Sequence, residues 1–198
     1  MHIIAGRWKR RRLIVPAVPG VRPTPGRVRE TLFDWLGVGV RGACCLDLFA
    51  GSGALGFEAA SRGAAEVVLV DRHRAVVDNL LLGVRKLAAR EITVVRSDAL
   101  RYLKRSPRYF DVVFLDPPFD SDLLESACRL LENGRWLRDT ARIYLEMRRP
   151  DSQPRLPDEW ELTHSGVAGD VRYLLAERQV DAGTSVYRRR LRKEASSE

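Results

Sequence analysis

The segment DVVFLDPPF, residues 111–119, decides how this chain folds. Its apolar run, residues 112–115, predicts a strand that is buried on both faces, as in a parallel sheet. Pro117 and Pro118 end that strand, because a proline lacks the backbone N–H that a sheet ladder requires and fixes φ near about −65°. The carbonyl groups of this turn are therefore held rigidly, and regular structure cannot use all of them.

The end of the predicted strand suits a planar base that carries an exocyclic amine. The Asp116 carboxylate and the Pro117 carbonyl can each accept one amine hydrogen, while the Phe119 ring stacks on the base. Such an amine is a poor nucleophile because its lone pair is delocalised into the ring, and two fixed acceptors offset that defect. We therefore assign the catalytic role to Asp116, Pro117, Pro118 and Phe119. A strand that ends in an ordinary proline turn remains the alternative for this segment alone.

A second segment upstream, CCLDLFAGSGALG at residues 44–56, predicts a strand, a glycine turn and the start of a helix. Gly51, Gly53 and Gly56 have the G-x-G-x-x-G spacing, and Asp71 ends the next apolar run 20 residues after Gly51. The glycines allow a ligand to approach the backbone, and Asp71 is placed to bind ribose hydroxyls. This pattern alone fits a nicotinamide dinucleotide equally well.

Three further acids favour S-adenosylmethionine. Asp47 precedes the glycine turn, where an acid can serve a cationic ligand but would repel a pyrophosphate. Asp98 follows another β-rich run, at residues 92–95, and Asp116 follows the fourth strand. Ligands of open parallel sheets bind outside the carboxyl ends of the strands, and each of these strands ends in one acid.

Strands alternate with helices over residues 44–147, which indicates an α/β fold with a doubly wound, mostly parallel sheet. Strands are predicted at about 44–49, 66–71, 91–96, 111–116 and 141–147, and an antiparallel pair at 160–164 and 171–177. Before them, residues 2–15 predict a β-hairpin. Thr24 is the predicted N-cap of a first helix. The periodicity of the apolar residues in that helix places Arg27 and Arg29 away from its apolar face.

Positive charge is concentrated near the N-terminus. Residues 1–41 hold nine Arg or Lys residues against two acids, a net +7 of the +8 carried by the whole chain. Arginine predominates there, and its planar guanidinium suits phosphate contacts and base stacking better than simple solubility requires. A polyanionic partner is expected, although a solubilising arm is the alternative.

The composition excludes several classes of protein. No apolar run approaches the roughly 20 residues of a membrane span, and the N-terminal residues lack the apolar segment typical of a signal peptide. Three cysteines and three scattered histidines predict neither a disulfide scaffold nor a metal site. We expect a cytoplasmic protein that acts without a membrane or a metal, as a monomer.

The ordered set of motifs resembles the amino-group N-methyltransferases, whose signature is Asp/Asn-Pro-Pro-aromatic. Within them it is similar to the RsmD family of small-subunit (16S) ribosomal RNA (guanine-N2)-methyltransferases. The matching segments are residues 3–13, 22–24, 27–33, 46–56, 116–119 and 167–173. The resemblance implies a seven-stranded class I methyltransferase sheet, an N-terminal hairpin-and-helix extension, S-adenosylmethionine as cofactor, and ribosomal RNA or the small subunit as partner.

The resemblance also implies three regions and two sets of site residues. Residues 1–40 form the basic RNA-binding extension, 41–178 the methyltransferase domain, and 179–198 a basic tail that we expect to be flexible. The expected cofactor-binding residues are Asp47, Phe49, Ala50, Gly51, Ser52, Gly53, Asp71, Arg72, Ser97, Asp98, Ala99 and Asp116. The expected RNA-binding residues are Arg7, Trp8, Lys9, Arg10, Arg11, Arg12, Arg22, Thr24, Arg27 and Arg29.

Other functions remain open at this point. A DNA or RNA methyltransferase acting on adenine N6 or cytosine N4 would use the same chemistry. A nicotinamide-dependent oxidoreductase would share the glycine turn and Asp71, but it leaves residues 116–119 without a role. A non-catalytic RNA-binding module would need only the basic extension.

Overall fold

The computed structural model of the protein describes residues 1–19, 21, 23–118, 122–152 and 154–179. Arg22, Phe119 and the predicted tail beyond residue 179 lie outside the described residues.

The described part of the chain contains a seven-stranded sheet in the order β3-β2-β1-β4-β5-β7-β6. The first five strands run parallel and the last two are antiparallel, which confirms the predicted fold class. The strands are β1 (Cys44–Asp47), β2 (Glu66–Asp71), β3 (Ile92–Arg96), β4 (Phe110–Leu115), β5 (Leu137–Arg148), β6 (Trp160–Ala168) and β7 (Val171–Arg178).

Helices cover both faces of this sheet. They are α1 (Gly26–Leu36), α2 (Ala54–Ser61), α3 (Arg74–Leu87), α4 (Ala99–Tyr102) and α5 (Leu123–Asn133), and a 3₁₀ turn (Gly37–Val40) follows α1. The first three helices share one apolar core with one face of the sheet, and α4 and α5 share another core with the opposite face. Each face of β4 is therefore buried, as its continuous apolar run predicts.

The order of the strands creates a binding crevice between β1 and β4. The chain moves outward from β1 through β2 to β3, and then returns to place β4 on the other side of β1. Helices that leave two neighbouring strands in opposite directions open a crevice at the carboxyl ends of those strands. Asp47 ends β1 and Asp116 directly follows β4, so the two acids lie on either side of this crevice.

The N-terminal extension is packed onto the sheet's helices rather than projecting from them. Its backbone forms a short antiparallel ladder, with Ile3 N–H donating to Arg11 O at 3.0 Å and Arg10 N–H donating to Ile3 O at 2.8 Å. Its side chains Ile3, Trp8 and Leu13 are buried in the same core as α2 and α3. The division at residue 40 stays a prediction, but the two parts share one core.

A buried carboxylate fastens the extension to α2. Glu58, which is fully buried, accepts hydrogen bonds from Ile4 N–H at 2.8 Å and from Ala5 N–H at 3.0 Å. Arg62 Nε donates to the same carboxylate at 2.8 Å, and Arg29 Nη1 lies 3.6 Å from it. This internal charge network therefore adds to the core packing that holds the extension in position.

Two local predictions are wrong. Thr24 does not cap α1, because the helix begins after Pro25 without a side-chain cap. Arg29 does not point away from the protein but is buried under the extension, where it also donates to Thr24 O at 3.2 Å and His2 O at 3.1 Å. In the described ranges, no helix combines the length and the apolar character needed to span a membrane.

Candidate active site

Four acids predicted to converge do lie at one edge of the sheet. Asp47 and Asp71 are the last residues of β1 and β2, and Asp116 comes directly after β4. Asp98 follows β3 and begins α4. The carboxyl ends of these parallel strands meet at this edge, which brings the acids around the crevice between β1 and β4.

Backbone N–H groups of the glycine turn and of the first turn of α2 donate hydrogen bonds to two of the acids. Gly51 N–H donates to Asp71 Oδ2 at 3.1 Å, and Gly56 N–H donates to Asp47 Oδ2 at 3.1 Å. Gly51 and Gly53 both have positive φ, at 49° and 76°, a conformation that favours glycine.

The three glycines of the pattern differ in the space that surrounds them. A Cβ at Gly53 would lie 2.6 Å from Leu80, and one at Gly56 would lie 2.1 Å from Leu69. These two glycines therefore permit close helix packing. A Cβ at Gly51 would meet no atom closer than 3.6 Å, so the turn is open to a ligand at that position.

Asp47 is a buried acid that has no basic partner among the described residues. Only 3% of its surface is exposed, and burial raises its pKa to about 7. The Gly56 N–H opposes that shift, while the charges of Asp71 and Glu146 add to it. A carboxylate desolvated in this way is stabilised by a cationic ligand and would be destabilised further by an anionic one.

Asp116 lies in a similar environment. It is half-buried, and burial raises its pKa, with further contributions from the charges of Glu146 and Asp47. Pro117 behind it is buried and Pro118 is exposed. The structure therefore presents a carboxylate on a rigid turn beside the open crevice, where it can accept hydrogen bonds from an amine.

Glu146 is a site residue that the sequence analysis missed. It lies on β5, only 3% exposed, and accepts a hydrogen bond from Tyr144 Oη at 2.9 Å and another from the Thr24 side chain. Its sequence signal is an acid inside an otherwise apolar strand, IYLEM at residues 143–147. Thr24, predicted to bind RNA, is buried against this acid instead.

The predicted adenine-side residues lie where β3 leads into α4. Ser97 N–H donates to Asp71 O at 3.0 Å, which joins this segment to β2. Asp98 Oδ1 accepts from Arg101 N–H at 3.0 Å and so caps α4. The remaining predicted cofactor residues line the same edge and range from buried to exposed: Phe49, Ala50, Ser52, Arg72 and Ala99.

The basic extension divides into exposed and buried groups. The exposed basic side chains are Arg7, Lys9, Arg10, Arg11, Arg12 and Arg27. Trp8 is 6% exposed, with its ring in the core under the Arg7 guanidinium, so little of the ring is available for the RNA contact predicted for it. The same holds for Arg29, because Glu58 and two carbonyls occupy its guanidinium.

Comparison with known proteins identifies the family. A family model described as conserved hypothetical protein 95 matches residues 1–177. Ribosomal RNA small subunit methyltransferase D of Escherichia coli is 46% identical over 179 residues, which cover 90% of each chain. Its Haemophilus influenzae counterpart is 41% identical over 88% of this chain and 92% of that one.

The chain belongs to the RsmD family.

Solved structures agree with this assignment. The structure of yhhF from E. coli superposes with a TM-score of 0.85 at 42% identity, covering 91% of this chain and 99% of that one. The 16S rRNA N2 G1207 methyltransferase of T. thermophilus, solved with AdoMet and guanosine, gives a TM-score of 0.61 at 29% identity. That match covers 80% of this chain and 44% of that one.

Membership of the RsmD family confirms the resemblance drawn from the sequence and argues against the oxidoreductase alternative. The assignments of individual residues to cofactor, base and RNA stay predictions. Across the described ranges, no cluster of His, Cys, Asp and Glu side chains could hold a metal ion.

Proposed function

We propose that this chain transfers a methyl group from S-adenosylmethionine to the exocyclic N2 amine of a guanine in small-subunit ribosomal RNA. The observation that carries this proposal is the Asp116 carboxylate on its proline turn, next to a crevice lined by Asp47 and Asp71. The names of relatives that are 41–46% identical support the substrate class.

The crevice fits the cofactor in charge and shape. Asp47 is buried, has no basic partner in the described ranges, and suits a ligand that carries positive charge. Gly51 leaves room at the turn, and Asp71 lies at the strand end where ribose hydroxyls are commonly bound. S-adenosylmethionine supplies an electrophilic methyl group on a cationic sulfur when it is bound.

The chain's own residues then position the amine. The Asp116 carboxylate and the Pro117 carbonyl accept the two amine hydrogens, which directs the nitrogen lone pair out of the plane of the base. The amine becomes cationic as it takes the methyl group, so an acceptor already in place stabilises that charge without reorganisation. The target base must leave its stack to reach this position. Phe119, outside the described residues, stays the predicted stacking partner.

The exposed basic residues of the extension are proposed to bind the RNA backbone. Replacing Lys9, Arg10, Arg11 and Arg12 together with glutamine should weaken RNA binding and flatten its dependence on salt. Each phosphate that the variant no longer neutralises should reduce the slope of log K against log[salt] by roughly 0.7–0.9. Binding measured by fluorescence anisotropy at several salt concentrations would show both effects.

A matched control uses Lys104 and Arg105, which are exposed on the opposite face of the sheet, near the end of α4. Their replacement with glutamine should leave the salt slope of RNA binding nearly unchanged. Equal slopes for the parent protein and the four-residue variant would instead identify the extension as a solubilising segment. Because the variant leaves Ile3, Trp8 and Leu13 in the core, the comparison reports charge rather than folding.

The function is tested by methyl transfer from labelled cofactor to small ribosomal subunits that lack the modification, followed by nucleoside analysis. Label in N2-methylguanosine of the 16S RNA is expected. Label at adenine N6, at cytosine N4 or in DNA would overturn the proposed substrate and support the alternative amino-group methyltransferases. Calorimetry with S-adenosylhomocysteine and with NAD gives an independent check, since tight binding of NAD alone would contradict the cofactor.

An RNA substrate of this class is consistent with the expected cytoplasmic location. The monomeric state stays a prediction.

A further inference from the structure

Glu146 lies beside the carboxylate that the proposed function places against the target amine. In the parallel pairing of β4 with β5, Leu115 is opposite Leu145, so the next residues, Asp116 and Glu146, are neighbours on adjacent strands. Asp116 comes two residues after Phe114, and Glu146 comes two residues after Tyr144. Phe114 and Tyr144 lie in the core that includes α1, and every second residue of a strand points to the same face. The two carboxylates therefore lie side by side on the face that α1 covers.

The Glu146 side chain is enclosed by the protein. It is almost fully buried, and it already accepts hydrogen bonds from Tyr144 Oη and from the Thr24 side chain. Burial raises the pKa of Glu146, and the two hydroxyl donors oppose that shift because they bond more strongly to a carboxylate than to a neutral acid. When Glu146 is ionised, its charge acts on the groups that lie next to it in the protein, and the first of these is Asp116.

Asp116 differs from Glu146 in the hydrogen bonds that its carboxylate receives. In the part of the chain that the structure describes, no residue donates a hydrogen bond to its side chain, and no basic side chain forms an ion pair with it or with Glu146. The titratable groups around the pair are acids and phenols: Asp47 on β1, Asp71 on β2, Tyr144 on β5 and Tyr173 on β7, which is paired opposite Glu146. The nearest charges therefore make Asp116 a better proton acceptor.

We propose that Glu146 is a positioning residue for methyl transfer: the Tyr144 and Thr24 hydroxyls stabilise its ionised form, and its charge strengthens Asp116 as the acceptor of the amine's proton. This inference rests on the proposed function. As the amine nitrogen forms its bond to the methyl group, the bond between methyl and sulfur breaks, its electron pair stays on sulfur as a neutral thioether, and the positive charge passes to the nitrogen. Neutrality returns when one N–H bond breaks, its electron pair stays on nitrogen, and the proton passes to the Asp116 carboxylate.

The direction of the pH effect follows from the charges. Burial and the charge of Glu146 both raise the pKa of Asp116. Because the reaction needs ionised Asp116, the rate falls as pH decreases through that raised pKa. Replacing Glu146 with glutamine removes one cause of the shift, so the pKa of Asp116 should fall and the acidic limb of the rate profile should move to lower pH.

The first experiment titrates Asp116 directly in the cofactor-free protein, by carbon-13 NMR of the aspartate carboxyl carbons. The Asp116 signal is assigned from its absence in the Asp116→Asn variant. We expect Glu146→Gln to lower the titration midpoint of Asp116 by about one pH unit or more, the size of shift that one nearby charge commonly produces. The single-turnover rate of methyl transfer should show a parallel movement of its acidic limb.

The control is Glu132→Gln. Glu132 is also an internal acid, but it is paired with Arg178 and bonded to Trp160 at the far end of α5. Its loss should reduce stability and leave the Asp116 midpoint in place. Glu146→Gln could instead lower the rate while the titration midpoint of Asp116 and the acidic limb of the rate profile stay unchanged. That result would show that Glu146 has a structural role and would overturn the proposal.

Thr24 provides a second test if Glu146→Gln fails to fold. Thr24→Val keeps the shape of the side chain but removes the hydroxyl donor, so Glu146 should ionise less readily and the Asp116 midpoint should fall part of the way. Thr24→Ser restores the hydroxyl and should restore the midpoint. No difference between the valine and serine variants would overturn the proposal. The titration needs no RNA, so it remains informative even if small subunits prove not to be the substrate.

Discussion

Asp116→Ala is expected to lower the single-turnover rate of methyl transfer by about 100-fold or more, which is the usual effect of removing a preorganised group that stabilises developing charge. The affinities for RNA and for S-adenosylhomocysteine should change far less. The reason is that Asp116 accepts an amine hydrogen whose charge grows only as the methyl group is transferred, so its contribution appears in the transition state and not in the ground state.

The measurement is the rate of label transfer to small ribosomal subunits with RNA and cofactor both saturating. Asp116→Asn keeps one acceptor oxygen and should retain part of the activity. Asp111→Asn is the matched control, because Asp111 lies on the same strand but near its other end, where it accepts a hydrogen bond from Cys44 N–H at 2.8 Å. If the rate for Asp116→Ala were within a few-fold of the parent rate, residues 111–119 would be only a strand that ends in a turn, without a catalytic role.

The features that the sequence predicted well are those that depend on neighbouring residues. A continuous apolar run such as residues 112–115, ended by prolines, favours a strand that is buried on both faces, and an acid that follows such a strand lies at its carboxyl end. The positions of Asp47, Asp71 and Asp116 follow from this reasoning, as does the doubly wound fold.

The features that were missed depend on residues that are distant in the sequence. Glu146 becomes a neighbour of Asp116 through the register of β4 against β5, and its hydrogen bond with Thr24 joins residues more than a hundred positions apart. No local pattern indicates such a pairing. An acid within an apolar strand was the available signal, and it would have indicated a buried, partnered carboxylate.

The same dependence on distant residues explains why Arg29 and Trp8 were counted among the RNA-binding residues although both are buried. A count of charges assigns every arginine of the extension to a polyanion, but it cannot show which arginine meets an internal acid. Glu58 lies on an otherwise apolar helix and selects Arg29 as a structural partner. Trp8 likewise follows the apolar pattern of Ile3 and Leu13 into the core, although basic residues flank it in the sequence.

Glu58→Ala is expected to destabilise the protein by roughly 3–5 kcal/mol, as is typical when one partner of a buried ion pair is removed. Glu58 has no exposed surface and accepts from the backbone of Ile4 and Ala5, so its loss leaves two N–H groups of the extension without their acceptor. It also leaves the buried Arg29 guanidinium without this counter-charge. Urea unfolding followed by circular dichroism would measure the change in the free energy of unfolding.

Glu91→Ala provides the comparison, since Glu91 also pairs with the extension. Its partner, Arg7, is 55% exposed, and an ion pair near the surface typically contributes under about 1 kcal/mol. If the extension were a loosely attached basic arm, both variants would change stability by similarly small amounts. A large loss for Glu58→Ala alone would show that an internal charge network supports the proposed RNA-binding surface, so that its exposed arginines are held in a fixed position.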